Sequence, residues 1–281
     1  MSAPVLLLLA RGGVAEAHSR SAEAVRDAVQ AERPGLDVRL AHSGQCLPTV
    51  AQTMKRIARS DRSEVIVVGL DLAEHPDDPH GPTAVAAQVQ LDHPDITITA
   101  ARSFGPEPSL LRIVDERLRV ALAAARANEL DGLVLSAATA GDTRAQAQLA
   151  RCARHWGQHH KLPVVVAHAD GSGPSVASAI RSLRAQGRRH VAVGSWFLTA
   201  TVDWLRERDA ALASGAIAVA EPIGAEDDTV RLVLSRYAFA AMDLLPLEDE
   251  APAPVIATDE DLARGAEEDQ PRERHLTVVG A

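Results

Sequence analysis

Two halves of this 281-residue sequence restate each other at a fixed spacing, which limits the available folds more than any other feature. Val38-Arg39-Leu40-Ala41-His42 lies 126 positions before Val164-Val165-Val166-Ala167-His168. At the same spacing Leu47-Pro48-Thr49-Val50-Ala51 meets Gly173-Pro174-Ser175-Val176-Ala177, and the run 64–69 meets 190–195. Working backwards, Leu7-Leu8-Leu9 falls on Leu133-Val134-Leu135. A last segment recurs at 119: 96–100 with Phe104-Gly105 matches 216–220 with Ile223-Gly224. The second copy therefore lacks seven residues between its third and fourth apolar runs. The chain divides into a first copy, 1–125, a second, 126–246, and a remainder, 247–281.

Each copy reads as strand and helix in alternation. The expected strands are the short apolar runs 5–9, 37–41, 64–69, 95–100, 132–136, 163–167, 190–194 and 216–220. Continuous apolar runs of this length suit parallel sheets buried on both faces. Ala-rich amphipathic stretches lie between them, among them 21–31, 49–59, 108–124, 176–186 and 226–241. Pro48 and Pro174 are expected near the first position of their helices, where a missing N–H costs nothing. The expected fold is α/β: two tandem doubly wound parallel-sheet lobes related by the internal repeat, with a cleft between them. In such sheets ligands bind beyond the carboxyl ends of the strands.

Charge is unevenly placed. From Leu247 onward ten acidic residues face three arginines, so that segment holds −7 of the net −9 and the rest is nearly neutral. A body without a basic stripe does not suit nucleic acid. The segment 247–281 reads as a flexible acidic tail. Two cysteines in unlike contexts, Cys46 and Cys152, exclude a disulfide framework and a four-thiolate zinc site. The apolar start has no basic flank or cleavage site, and no run reaches the length of a membrane span. The expected location is the cytoplasm, with no membrane partner.

The sequence holds no G-x-x-x-x-G-K, no G-x-G-x-x-G after a strand and no G-x-S-x-G. The histidines are more informative. His18 follows the first strand, while Glu74, His75, Asp77, Asp78 and His80 follow the third. Both loops are expected on one sheet edge, where imidazoles and carboxylates can bind a divalent metal or move protons. The same composition also makes a solvated polar loop, the plainer reading. The matching loop of the second copy, 198–203, has no histidine, so any such site is assigned to the first half. His42 and His168 occupy equivalent positions and read as structural. His155, His159 and His160 read as cations at a helix C-terminus.

On the first strand with its Gly12 loop, Pro48, the segment Val65-Ile66-Val67-Val68-Gly69-Leu70-Asp71-Leu72, and the ends Phe104-Gly105-Pro106 and Pro222-Ile223-Gly224, the chain resembles the class II tetrapyrrole chelatases. The resemblance is to the long, two-repeat sirohydrochlorin or cobalt chelatase form and covers about residues 4–240. It departs from that family at the site. The family has Ala-His-Gly-Ser after its first strand, where this chain has Ala10-Arg11-Gly12-Gly13. Ser43-Gly44-Gln45 stands where a carboxylate is common, and the family's Gly-x-His after the third strand aligns near Asp77. The resemblance implies a metal chelatase, a lyase, inserting Fe2+ or Co2+ into sirohydrochlorin in siroheme or cobalamin synthesis. The alternative it leaves is a non-catalytic homologue that binds a tetrapyrrole or another partner. Under the first reading His75 and His80 are catalytic, and His18, His75 and His80 contact the metal. Arg11, Gly12 and Gly13 contact the substrate. No tightly bound cofactor is expected, the metal being a substrate, and the fused repeats imply a monomer.

Overall fold

The computed structural model describes residues 3–11, 16–44, 46–74, 77–139 and 141–244, residues 16–19 by their backbone only. The tail reading, His75, Gly12 and Gly13 lie outside the described residues. The first repeat runs β1 (Val5–Arg11), α1 (Glu16–Glu32), β2 (Val38–Ser43), α2 (Val50–Ile57), β3 (Glu64–Gly69), α3 (Pro82–Asp92), β4 (Thr97–Ala100) and α4 (Leu111–Ala124). The second runs β5 (Gly132–Ala137), α5 (Thr143–His160), β6 (Val164–His168), α6 (Val176–Ala185), β7 (Val191–Trp196), α7 (Val202–Ala213), β8 (Ala218–Val219) and α8 (Asp227–Met242). Each repeat forms a four-stranded parallel sheet, ordered β2-β1-β3-β4 and β6-β5-β7-β8. Among the described residues no helix is long and apolar enough to cross a membrane.

The strand order decides where the helices go. Stepping from β1 to β2 runs one way across the sheet, and stepping to β3 and β4 runs the other. Right-handed crossovers therefore put α1 on one face and α2 with α3 on the opposite face. The core follows this division. Val5, Leu7 and Leu9 pack with Met54, Ile57, Ala86 and Val89 of α2 and α3. Leu6, Leu8 and Ala10 face the other way, with Ala22 and Val25 of α1. The second sheet repeats the pattern, with α6 and α7 over its outer face. Its inner face, with Leu133, Leu135, Ala137, Cys152 and Trp156, joins the same central cluster as the first.

The closing helices are exchanged. α4 ends the first repeat in sequence but packs on β7 and β8, while α8 packs on β3 and α1. The guanidinium of Arg117 on α4 donates to the Ile223 carbonyl at 3.3 Å, and that of Arg236 on α8 donates to the Phe104 carbonyl at 2.9 Å. Donors and acceptors are both 119 residues apart, so each repeat holds the other's loop in the same way.

The structure corrects two details. β1 and β5 correspond at 127, not 126: Ala10 pairs with His42 and Ala137 with His168, so Ala10 matches Ala137 and Leu8 matches Leu135. A strand buried on both faces has no polar alternation to fix its register, and Leu7-Leu8-Leu9 fits Leu133-Val134-Leu135 as well one residue out. Pro48 and Pro174 stand before the N-caps rather than inside the helices. Thr49 caps α2 in a capping box with Gln52, and Ser175 caps α6 by accepting from the Ser178 N–H.

Candidate active site

In a sheet ordered 2-1-3-4 the crevice opens between the carboxyl ends of β1 and β3, where the chain reverses its direction of stepping. Arg11 ends β1, and Asp71 lies two residues beyond β3. The ladder continues one residue past β3, Leu70 N–H donating to the Leu9 carbonyl at 2.8 Å, which brings Asp71 beside Arg11. The Arg11 Nε donates to Asp71 Oδ2 at 2.8 Å, and Nη2 donates to Asp78 Oδ2.

Asp78 reaches this point because the loop between β3 and α3 is long. It spans the twelve residues 70–81, whereas 197–201 in the second repeat has five, so the length difference between the copies lies here. Turn geometry fixes the loop's far end: Asp78 Oδ1 accepts the His80 N–H at 3.0 Å, and the Asp78 carbonyl accepts the Gly81 N–H at 3.1 Å. Glu74 accepts the Thr83 N–H at 3.3 Å in the first turn of α3 and so serves the helix end. Gly69 allows both ends of the loop to meet, since a Cβ there would lie 2.4 Å from Pro82 Cγ.

The electrostatics follow from this packing. The Asp71 side chain is 13 % exposed. Burial raises its carboxyl above the ordinary aspartate pKa, against the opposing pull of Arg11, and the charges of Asp78 and Asp203 raise it further. Arg11 loses solvation on burial, but Asp71 and Asp78 outweigh that and hold its pKa above the ordinary value. Asp203 stands in the first turn of α7, so the second repeat adds a carboxylate to the same place. Asp203 also faces Arg206 of its own helix at 3.7 Å, so two guanidinium groups stand among the three carboxylates.

The facing wall is mostly apolar, with Thr139, Thr199 and Thr201 among its lining. Ala137, Ala138, Trp196, Phe197 and Leu198 of the second repeat meet Asp71, Leu72 and Ala73 around a void of about 10 Å3, roughly one water. At the corrected register Ala138 matches Arg11. The Arg11–Asp71–Asp78 ion pairs are therefore carried by the first repeat, and the second adds Asp203 and the facing wall. Ser21 on α1 ties the two together by accepting the Ala200 N–H at 3.1 Å.

Of the three histidines expected at the site, His80 is the one whose side chain is described. His80 is exposed and lines a groove of about 510 Å3 between α2 and α3, with His42, Met54, Gln88 and His93. His18 is placed by its backbone on α1. His42 and His168 are buried, and their backbone N–H groups donate to the Pro48 and Pro174 carbonyls, both at 2.9 Å, the same strand-end contact in each repeat. Asp71 entered the sequence reading only inside a longer motif. Its signal was a lone carboxylate directly after a buried strand of a parallel sheet.

Residues 5–121 match the sequence model of the CbiX family. The matched segment covers the first repeat. No curated protein sequence matches the chain. Among solved structures, the chain is similar to the sirohydrochlorin chelatase SirB of Bacillus subtilis subspecies spizizenii in complex with cobalt. That match has 14 % identity and a TM-score of 0.63 over 86 % of this chain and 97 % of the other. SirB from Bacillus subtilis with Fe3+ matches at 15 % identity and a TM-score of 0.62, over 86 % and 96 %. CbiX described as the terminal enzyme of siroheme biosynthesis in denitrifying bacteria matches at 17 % and 0.55, over 84 % and 99 %. These likenesses extend the chelatase fold beyond the CbiX-matching segment into the second repeat, as expected for the two-repeat form.

Proposed function

We propose that this chain inserts a divalent metal, Fe2+ or Co2+, into sirohydrochlorin in siroheme or cobalamin synthesis, at the β1/β3 edge of the first repeat. The observation that carries the reading is the Arg11–Asp71–Asp78 cluster at the switch point of a chelatase fold. Insertion exchanges two pyrrole N–H protons for the metal, so the site must accept protons and tolerate a cation. Asp71 suits the first task, because a carboxyl raised by burial holds a proton more firmly than an exposed one. The neighbouring carboxylates of Asp78 and Asp203 suit the second. Arg11, unable to ligate a metal or act as a base, keeps the two loop carboxylates together. In this reading His80 and His75 deliver the metal from the long loop, His18 is a further metal contact, and Gly12 and Gly13 leave room for the macrocycle. Ligand pockets ordinarily occupy about 300–1,000 Å3, so the ionic and apolar walls must part to admit a tetrapyrrole. The protein acts as a cytoplasmic monomer without a resident cofactor.

A second reading has the chain bind the tetrapyrrole without catalysis, and the substitution of Arg11 for the family's histidine favours it. Purified full-length chain mixed with sirohydrochlorin and Co2+ separates the two by absorbance. Insertion faster than the spontaneous rate is expected under the first. Macrocycle binding at the spontaneous rate selects the second, and absence of both overturns the tetrapyrrole reading.

A further inference from the structure

Away from the β1/β3 edge, two helices from different repeats bring three metal-ligating side chains together. Asp115 on α4 meets His159 and His160 in the last turn of α5, and their ligand atoms all lie within 4.8 Å of one another. α5 starts beyond the carboxyl end of β5 and runs back for eighteen residues, about 27 Å, to the edge where the second sheet's strands begin. We propose that Asp115, His159 and His160 form a binding site for a divalent cation of the zinc or cobalt class, distinct from the switch-point site and independent of the activity proposed there.

The donor set is two imidazoles and a carboxylate, which suits zinc-like ions with water as a fourth ligand. Asp115 is 6 % exposed, and its carboxylate is already oriented. Oδ1 accepts the Trp156 indole N–H at 3.3 Å and lies 2.5 Å from His160 Nε2. The Trp156 indole N–H on Oδ1 is the kind of outer hydrogen bond that orients a ligating carboxylate. The His159 and His160 rings stand edge to face, 4.9 Å apart, so His159 is next to the pair rather than directed away along the helix.

Arg119 supplies the decisive test. It pairs with Asp115 Oδ2, the oxygen opposite the histidines, and its side chain is 67 % exposed. A purely structural cluster would need this cation, whereas a metal site is weakened by it. Arg119 can swing into water when the ion arrives. A bound ion would also clamp α4 of the first repeat to α5 of the second.

The test uses metal-stripped full-length chain titrated with Zn2+ and Co2+. His75→Ala with His80→Ala forms the background, so that loop sites do not contribute. The expected result is one equivalent with the visible absorption of tetrahedral Co2+. At a hundredfold excess over Kd, Zn2+ should raise the melting midpoint by about 5–10 °C. His159→Ala changes an exposed side chain and leaves the fold intact. It should weaken binding at least about tenfold and remove the absorption, as should Asp115→Asn, while Arg119→Ala should bind as tightly or more tightly. Equal Co2+ binding by His159→Ala and its parent overturns the proposal, and so does loss of binding in Arg119→Ala.

Discussion

Burial raises the Asp71 carboxyl even though Arg11 donates to it at 2.8 Å, so desolvation outweighs the ion pair at this position. The stability consequence has a definite sign. A carboxyl that holds its proton more firmly when folded contributes fully below its unfolded pKa. That contribution is lost as pH rises through the raised folded value. Asparagine mimics the protonated group at every pH. In thermal melts between pH 3 and 8, wild type should therefore lose stability relative to Asp71→Asn as pH rises. A gap moving in wild type's favour would show that Arg11 dominates instead. At this scale the sequence was only partly legible. Arg11 and Asp78 stood in segments read for chemistry, but Asp71 acquires its role from a partner sixty residues away, and Asp115 from histidines in the other repeat. Spacing along a chain carries no trace of such pairs.

The strands and helices were the most legible part, because buried parallel strands leave short apolar runs and the repeat confirms each one. The run 64–69 coincides with β3, and 176–186 differs from α6 by one residue. What the repeat could not show was register within an all-apolar run, or which sheet a closing helix covers. Arg117 and Arg236 tie the exchanged helices to the facing loops, and a sequence rich in arginine gave neither any prominence. Arg236 donates to the carbonyls of Ser103 and Phe104, at 3.2 and 2.9 Å. Arg236→Ala should cost about 1.5–3 kcal/mol, the range for hydrogen bonds from a charged donor, seen as a lower denaturant midpoint with unchanged slope. Arg117→Ala should do the same from the other repeat. An unchanged midpoint in both would show that apolar packing alone holds the exchanged helices.

Across the molecule the two sheets share one central core, and each is covered by a helix from the other repeat. Neither repeat can lose its structure without uncovering the other. Calorimetry should give one transition with matching calorimetric and van't Hoff enthalpies; two resolved transitions would mean that the repeats unfold separately. The same arrangement makes the candidate site a joint product, with the Arg11 ion pairs from one repeat and Asp203 and a mostly apolar wall from the other. The two-lobed architecture was visible in the repeat, whereas this unequal division of labour rests on a loop whose extra length only folding brings to the cleft. The most direct test of the account is the rate of Co2+ insertion into sirohydrochlorin by wild type and by Asp71→Asn. The account predicts that wild type exceeds the spontaneous rate and that the variant falls about a hundredfold or more, the ordinary contribution of a positioned base. An Asp71→Asn protein as fast as wild type would contradict it.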